Sequence, residues 1–247
     1  MAQFARWFGV YLALFSVSVF AHHKNVIVGF YDFAPLMYSD DKGQPQGTLY
    51  QYAEKLLRNA GIEAQYREMP SARLYQELRK GQVHLWLGAA GKPELAGYTL
   101  EGRKNVGALV LNLYYLNNTP TPRLPEDLKG KSLITLSGYS YWPDASANLL
   151  ASKHGAVLLR TTTHQAALEL LAKGRGDYLL NYEIPTRFHA NQQGLELTHL
   201  RIEEVPIRFV VSAKAPHAEK LRDALDKAYD RLFQAGEHLW QYDVDVN

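Results

Sequence analysis

The sequence contains no cysteine among its 247 residues. This absence excludes disulfide bonds, thiol nucleophiles and thiolate metal sites. It also excludes attachment to a membrane through a lipid-modified cysteine. The sequence also lacks a large excess of either charge, because it contains 27 basic and 25 acidic residues. Such a balance is not typical of proteins that bind nucleic acids or anionic membrane surfaces.

Catalytic and cofactor motifs are equally scarce. The sequence has no G-x-S-x-G, no H-E-x-x-H and no phosphate-binding glycine loop. Its nine histidines are scattered without the spacing that metal sites require. We therefore expect a protein that is not an enzyme and that has no cofactor and no metal.

Long apolar runs are confined to the N-terminus. Arg6 precedes the apolar run Trp7–Phe20, and Ala21 follows it. A basic start, a short apolar stretch and a small residue predict a secretory signal peptide over residues 1–21. The alternative is an uncleaved anchor, but the run is shorter than the roughly 20 residues of a membrane span. We expect a soluble periplasmic protein with a mature net charge of about +1, since cleavage removes only Arg6 among the charged residues.

The mature chain begins with a strand–helix–strand–helix–strand pattern. Apolar spacing predicts strands and helices in alternation, and glycines end both helices. Ser71 is predicted to cap the second helix. The five predicted elements are Asn25–Phe30, Thr48–Ala60, Glu63–Glu68, a helix from Ser71 to Gly81, and Val83–Leu87.

The same pattern returns after a proline-rich segment, 118–125. The repeat favours two α/β lobes of similar size over one large sheet. Its predicted elements are strand Leu133–Leu136, helix Pro143–Lys153, strand Val157–Arg160, helix His164–Lys173 and strand Tyr178–Asn181.

Two further strands are expected to connect the lobes. Val106–Leu116 is long enough to cross from the first to the second, and Val205–Ala213 leads back to an amphipathic helix, Ala218–Ala235. Ligands of open α/β sheets bind at the carboxyl ends of the strands, so a ligand would lie between the lobes. The predicted division is residues 24–109 plus 208–247 for lobe 1 and 110–207 for lobe 2.

Five segments follow one another along the chain: "APLMYSDDKGQPQG", "LRKGQVHLWLG", "PEDLKGKSLITLSGYS", "KGRGDYLLNYEIP" and "LFQAGEHLWQY". In this order they resemble the family 3 extracellular solute-binding proteins. The resemblance covers Val26 to Tyr242. It implies an α/β, two-lobed periplasmic-binding-protein-like clamshell of type II, with two crossover strands and a hinge motion.

The resemblance also implies where the ligand binds. The aromatic residue that covers the ligand corresponds to Phe33. Backbone groups that contact the ligand correspond to Gly88 and Ala89. The turn that binds a carboxylate at a helix start corresponds to Gly138, Tyr139 and Ser140.

The charged residues with which the family holds an amino acid are replaced. The arginine for the α-carboxylate falls near Leu95 or Ala96, and the aspartate for the α-ammonium falls at Tyr182. A hydrocarbon side chain cannot form the bidentate bond of an arginine. Arg73 and Glu183 are candidate replacements. The alternative is that Arg73 is an ordinary solvent-facing arginine and that Glu183 is an ordinary glutamate at a helix start, where the helix dipole favours a negative charge.

The predicted ligand-binding residues are thus Phe33, Arg73, Gly88, Ala89, Tyr139, Ser140, Tyr182 and Glu183. We expect a monomer that captures a small polar or amino-acid-like solute and delivers it to an ABC-type permease or a sensor. One alternative is a dehydratase of small cyclic acids, with Glu183 as the general acid. Another is a clamshell that signals to a partner with little or no ligand.

Overall fold

The structure is a computed structural model that describes residues 25–141 and 155–238. The predicted signal peptide and the predicted helix Pro143–Lys153 lie outside these residues. In the two described ranges, no helix combines the length and the apolar composition that a membrane crossing requires.

Eleven strands are present in the described ranges. They are β1 (Val26–Phe30), β2 (Tyr38–Ser39), β3 (Pro45–Gln46), β4 (Ala64–Glu68), β5 (Leu85–Ala89), β6 (Thr99–Glu101), β7 (Gly107–Leu116), β8 (Ser132–Leu136), β9 (Val157–Thr161), β10 (Tyr178–Tyr182) and β11 (Leu197–Ser212). Nine of them form one sheet in the order β4-β1-β5-β11-β7-β10-β8-β9, with β6 paired to β11, while β2 and β3 form a small hairpin.

The described helices lie between the strands as the alternating pattern predicts. They are α1 (Thr48–Asn59), α2 (Ser71–Lys80), α3 (His164–Ala172), α4 (Glu183–Gln193) and α5 (Ala218–Gln234). Short 3₁₀ turns cover Pro93–Leu95 and Glu126–Leu128. Apolar residues on one face of α1 are buried, among them Leu49, Tyr52 and Leu56, which is why this face packs on the sheet.

The long strands β7 and β11 join two parallel groups of strands. β1 pairs in parallel with β4 and β5, and β8 pairs in parallel with β9 and β10. Between these groups, β11 runs antiparallel to β5 and β7, and β7 runs antiparallel to β10. We call β1, β4 and β5, with α1, α2 and α5, the first half, and β8–β10, with α3 and α4, the second half. The type II clamshell fold with two crossover strands is confirmed.

Two predicted details are wrong. Ser71 does not cap α2, because Pro70 occupies the cap position and Ser71 is the buried first residue of the helix. The second crossover strand begins at Leu197, not at Val205. Its first part alternates between half-buried and exposed residues and includes several charges, so it lacks the continuous apolar run by which the later part was predicted.

Candidate functional site

The chain leaves β1 through a tight turn that holds Phe33. The Phe33 N–H donates to the Met37 carbonyl at 2.8 Å, and the Leu36 N–H donates to the Phe33 carbonyl at 2.9 Å. Gly47 fixes the return of the chain, because it has φ +106° and a Cβ there would lie 2.3 Å from the Leu36 carbonyl oxygen. The turn therefore presents a buried Phe33 ring beyond the carboxyl end of β1.

Aromatic rings from both halves meet at this point. Phe33 lies 5.6 Å from Tyr182 and 5.4 Å from His164 between ring centroids. Tyr31 of the first half lies 5.4 Å from Tyr139 of the second. Trp86, the second residue of β5, approaches Tyr31 to 6.0 Å. We call Tyr31, Phe33, Tyr75, Trp86, Tyr139, His164 and Tyr182 the aromatic cluster.

The second half holds Tyr139 through neutral hydrogen bonds. The Asn181 Oδ1 accepts from the Tyr182 N–H at 2.9 Å and lies 3.0 Å from His164 Nδ1. His164 Nδ1 is therefore the protonated nitrogen, and its Nε2 accepts from the Tyr139 hydroxyl at 3.0 Å. Burial, together with the neighbouring His189, lowers the pKa of His164 to about 3, although the hydrogen bond to Asn181 acts in the opposite direction. His164 is thus neutral at physiological pH, and the Tyr139 hydroxyl is engaged by a residue of its own half.

The first half buries a lysine beside the aromatic cluster. Lys92 is only 5% exposed, and its Nζ lies 4.8 Å from the ring centroid of Tyr75 and 5.9 Å from that of Trp86. Burial lowers the pKa of Lys92 to about 7, although the nearby Glu94 carboxylate acts in the opposite direction. Lysines are rarely buried to this extent unless they have a specific partner.

That partner lies across the cleft. The Lys92 Nζ donates to the Ser140 Oγ at 2.9 Å, and the Ser140 hydroxyl donates to the Glu94 carboxylate in a very short contact. Close packing accompanies these bonds: Gly138 has φ +78°, and a Cβ there would lie 2.7 Å from the Ser71 Oγ at the start of α2. The turn after β8 therefore fits directly against the first half.

A small cavity lies under the aromatic cluster on the side of the first half. It measures about 30 Å³, and its lining includes Phe33, Trp86, Gly88 and Ala89. That volume suits water rather than an amino acid. A larger molecule must separate the aromatic rings that now meet across the cleft.

The structure brings most of the predicted site residues together. Phe33, Tyr139 and Tyr182 belong to the aromatic cluster, Ser140 bonds to Lys92 and Glu94, and Gly88 and Ala89 line the cavity.

Arg73 and Glu183, the two candidate replacements for the missing charges, are not part of these contacts. Arg73 is exposed on α2, and none of the hydrogen bonds and ion pairs found between the described residues includes it. Glu183 is half-buried at the start of α4, 3.9 Å from Arg187.

Sequence reasoning missed the polar residues of the site. Lys92 and Glu94 belong to the segment "GKPELAG", whose resemblance to the family reveals only the absence of an arginine, and His164 and Asn181 fit the ordinary patterns of a helix and a strand. One signal in the sequence points to Lys92. It stands three residues before Leu95, near which the family's arginine falls, so it offers a positive charge close to the missing one. In residues 25–141 and 155–238, no group of three metal-binding side chains could hold a metal ion.

Comparison with known proteins identifies a similar family and similar folds. The model of the bacterial extracellular solute-binding proteins, family 3, matches residues 26–94. The resemblance to family 3 is confirmed. The matched residues run from β1 to Glu94 and therefore include Phe33 and Lys92. Among curated protein sequences, none matches significantly.

Solved structures with similar folds cover nearly all of the chain. A histidine kinase sensor domain with similarity to periplasmic binding proteins has a TM-score of 0.73 at 20% identity, over 87% of this chain and 92% of that one. A Streptococcus pneumoniae ABC uptake transporter substrate-binding protein with bound histidine has a TM-score of 0.73 at 18% identity, over 88% and 91%. An ancestral amino-acid-binding protein described as a precursor of cyclohexadienyl dehydratase has a TM-score of 0.70 at 15% identity, over 88% and 94%.

Proposed function

We propose that this family 3 relative is an exported solute-binding protein that captures a small polar or amino-acid-like molecule between its two halves. The observation that carries the proposal is the aromatic cluster, to which both halves contribute rings at the carboxyl ends of their parallel strands. Ring faces of this kind bind flat or cationic groups by stacking.

Charged groups beside the cluster support an amino-acid-like solute. Lys92 supplies a positive charge and Glu94 a negative one, and both approach Ser140. A zwitterion would present its carboxylate to Lys92 and its ammonium group to Glu94. Lys92 and Glu94 could therefore substitute for the family's arginine and aspartate, which are replaced here at Leu95 and Tyr182.

The proposed mechanism is a population shift. A solute that contacts both halves at once binds the closed form better than the open form, and so favours closure. The two long strands β7 and β11 would act as the hinge, and we retain the predicted lobes, residues 24–109 plus 208–247 and 110–207.

The closed protein, a monomer in the periplasm, would then dock on an ABC-type permease or on a sensor. Similar structures include a transporter component and a sensor domain, so both partners stay open.

A thermal-shift screen of the purified mature chain tests the proposal. The panel comprises amino acids, polyamines, organic acids and aromatic cations. A solute that binds only the folded chain raises the melting temperature by mass action. At a concentration 100 times its Kd, it raises the free energy of unfolding by about 2.7 kcal/mol. We expect at least one such solute. If the whole panel gives no shift, the signalling clamshell with little or no ligand becomes the better account, and the tight packing around the small cavity favours it.

The enzymatic alternative has a separate test. Incubation with prephenate-like cyclic acids, followed by measurement of the remaining substrate, would detect a dehydratase. We expect no turnover, because Glu183, the candidate general acid, is not among the residues of the aromatic cluster and its carboxylate lies 3.9 Å from the Arg187 guanidinium. Measurable turnover that is lost in Glu183→Gln would contradict the binding-only account.

A further inference from the structure

Lys92 and Glu94 approach Ser140 from the other side of the cleft. Lys92 and Glu94 belong to the segment after β5 in the first half, whereas Ser140 follows β8 in the second half. Ser140 accepts a hydrogen bond from the ammonium group and donates one to the carboxylate. One hydroxyl group therefore connects a cation and an anion, and hydrogen bonds to charged groups are stronger than those between neutral groups.

These bonds are placed where the two halves would separate. β7 and β11 remain continuous during any hinge motion, whereas the Lys92–Ser140 and Ser140–Glu94 bonds cannot persist once the turn after β8 leaves the start of α2. The close approach of Gly138 to Ser71 would be lost in the same step. Contacts that exist only in the closed form stabilise that form alone.

We propose that Lys92, Glu94 and Ser140 form a latch that holds the cleft closed and so sets how readily it opens for its solute. The proposal rests on the proposed function, because it concerns the regulation of the same cleft. The latch differs from the aromatic cluster in its chemistry: removal of a single hydroxyl group abolishes both of its bonds and deletes no aromatic ring.

The absence of cysteine allows a direct measurement of closure. Gln51 on α1 and Gln193 at the end of α4 are exposed, and each can be replaced by cysteine for a nitroxide spin label. Electron–electron double resonance then gives the distribution of distances between the halves. No solute is added, so the result does not depend on the solute screen.

Ser140→Ala is the decisive variant, and Ser137→Ala is its matched control, because Ser137 is an exposed serine just before the same turn. We expect Ser140→Ala to raise the ratio of long to short distances by about tenfold, since two charge-assisted hydrogen bonds are lost. Ser137→Ala should give the distribution of the unsubstituted chain. Circular dichroism confirms that both variants are folded.

Either of two results would contradict the proposed latch. The first is an unchanged distance distribution in Ser140→Ala. The second is a cleft that opens as far in Ser137→Ala as in Ser140→Ala. Neither result bears on whether the cleft binds a solute. Conversely, a negative solute screen would leave a positive distance measurement intact.

Discussion

The two walls of the cleft place their polar groups in opposite ways. The wall of the first half carries charges, with Lys92 buried against aromatic rings and Glu94 half-buried beside it. The wall of the second half is neutral, with Tyr139 bonded to His164 and His164 to Asn181. A charge buried against rings costs desolvation, whereas a neutral hydrogen-bonded chain stabilises its surroundings. Under the proposed function, the first wall would bind the solute and the second would hold an aromatic surface in place.

The strongest test of this difference is the removal of His164. His164→Ala deletes a buried ring, leaves the Tyr139 hydroxyl without its acceptor, and removes one of the two hydrogen bonds that the Asn181 Oδ1 accepts. We expect the free energy of unfolding to fall by about 3 kcal/mol. Urea denaturation measures it, with His199→Ala as the control because His199 is exposed. Equal effects of the two variants would show that the neutral chain does not stabilise the second wall.

Removal of Lys92 should change stability in the other direction. Lys92→Met keeps most of the aliphatic volume, removes a desolvated charge and leaves a half-exposed Glu94 that water can reach. We expect the free energy of unfolding to rise by about 1 kcal/mol. The control is Lys42→Met, in an exposed loop. A loss of stability as large as that of His164→Ala would mean that both walls are built in the same way.

The pH dependence of stability gives a smaller but more specific test. The pKa of Lys92 is lowered from 10.5 to about 7 by burial. Between these values the unfolded chain binds more protons than the folded chain, so the contribution of Lys92 to stability rises with pH. We expect the advantage of Lys92→Met over the unsubstituted chain to shrink between about pH 7 and pH 10. Denaturation curves at several pH values measure it, and an advantage that stays constant would contradict the assignment.

The fold and the aromatic part of the site could be predicted from the sequence, for physical reasons. Strand–helix alternation and glycine-ended helices are local signals, and they give the parallel groups of strands. Phe33 and Tyr139 lie in turns that follow strands, and Tyr182 is the last residue of β10, so their meeting follows from the topology. The resemblance to family 3 adds the prediction that they share a role in ligand binding.

The charged part of the site could not be predicted in the same way. In the sequence, Lys92 stands in a glycine- and proline-containing loop, where a lysine is ordinarily solvated. Its burial depends on Tyr75 from α2, on Trp86 from β5 and on the approach of Ser140 from the second half. Arg73 shows the converse, since its helix turns it toward solvent although its neighbours Leu74 and Tyr75 are buried.

The central claim is that the space around Phe33 binds a solute between the two halves. Isothermal titration of the best solute from the screen into Phe33→Ala, Arg73→Ala and the unsubstituted chain tests it most directly. The account predicts that Phe33→Ala weakens binding by at least about tenfold, because an aromatic contact worth more than 1 kcal/mol is lost, while Arg73→Ala binds as the unsubstituted chain does. Undiminished affinity in Phe33→Ala would contradict the account and place the binding site elsewhere.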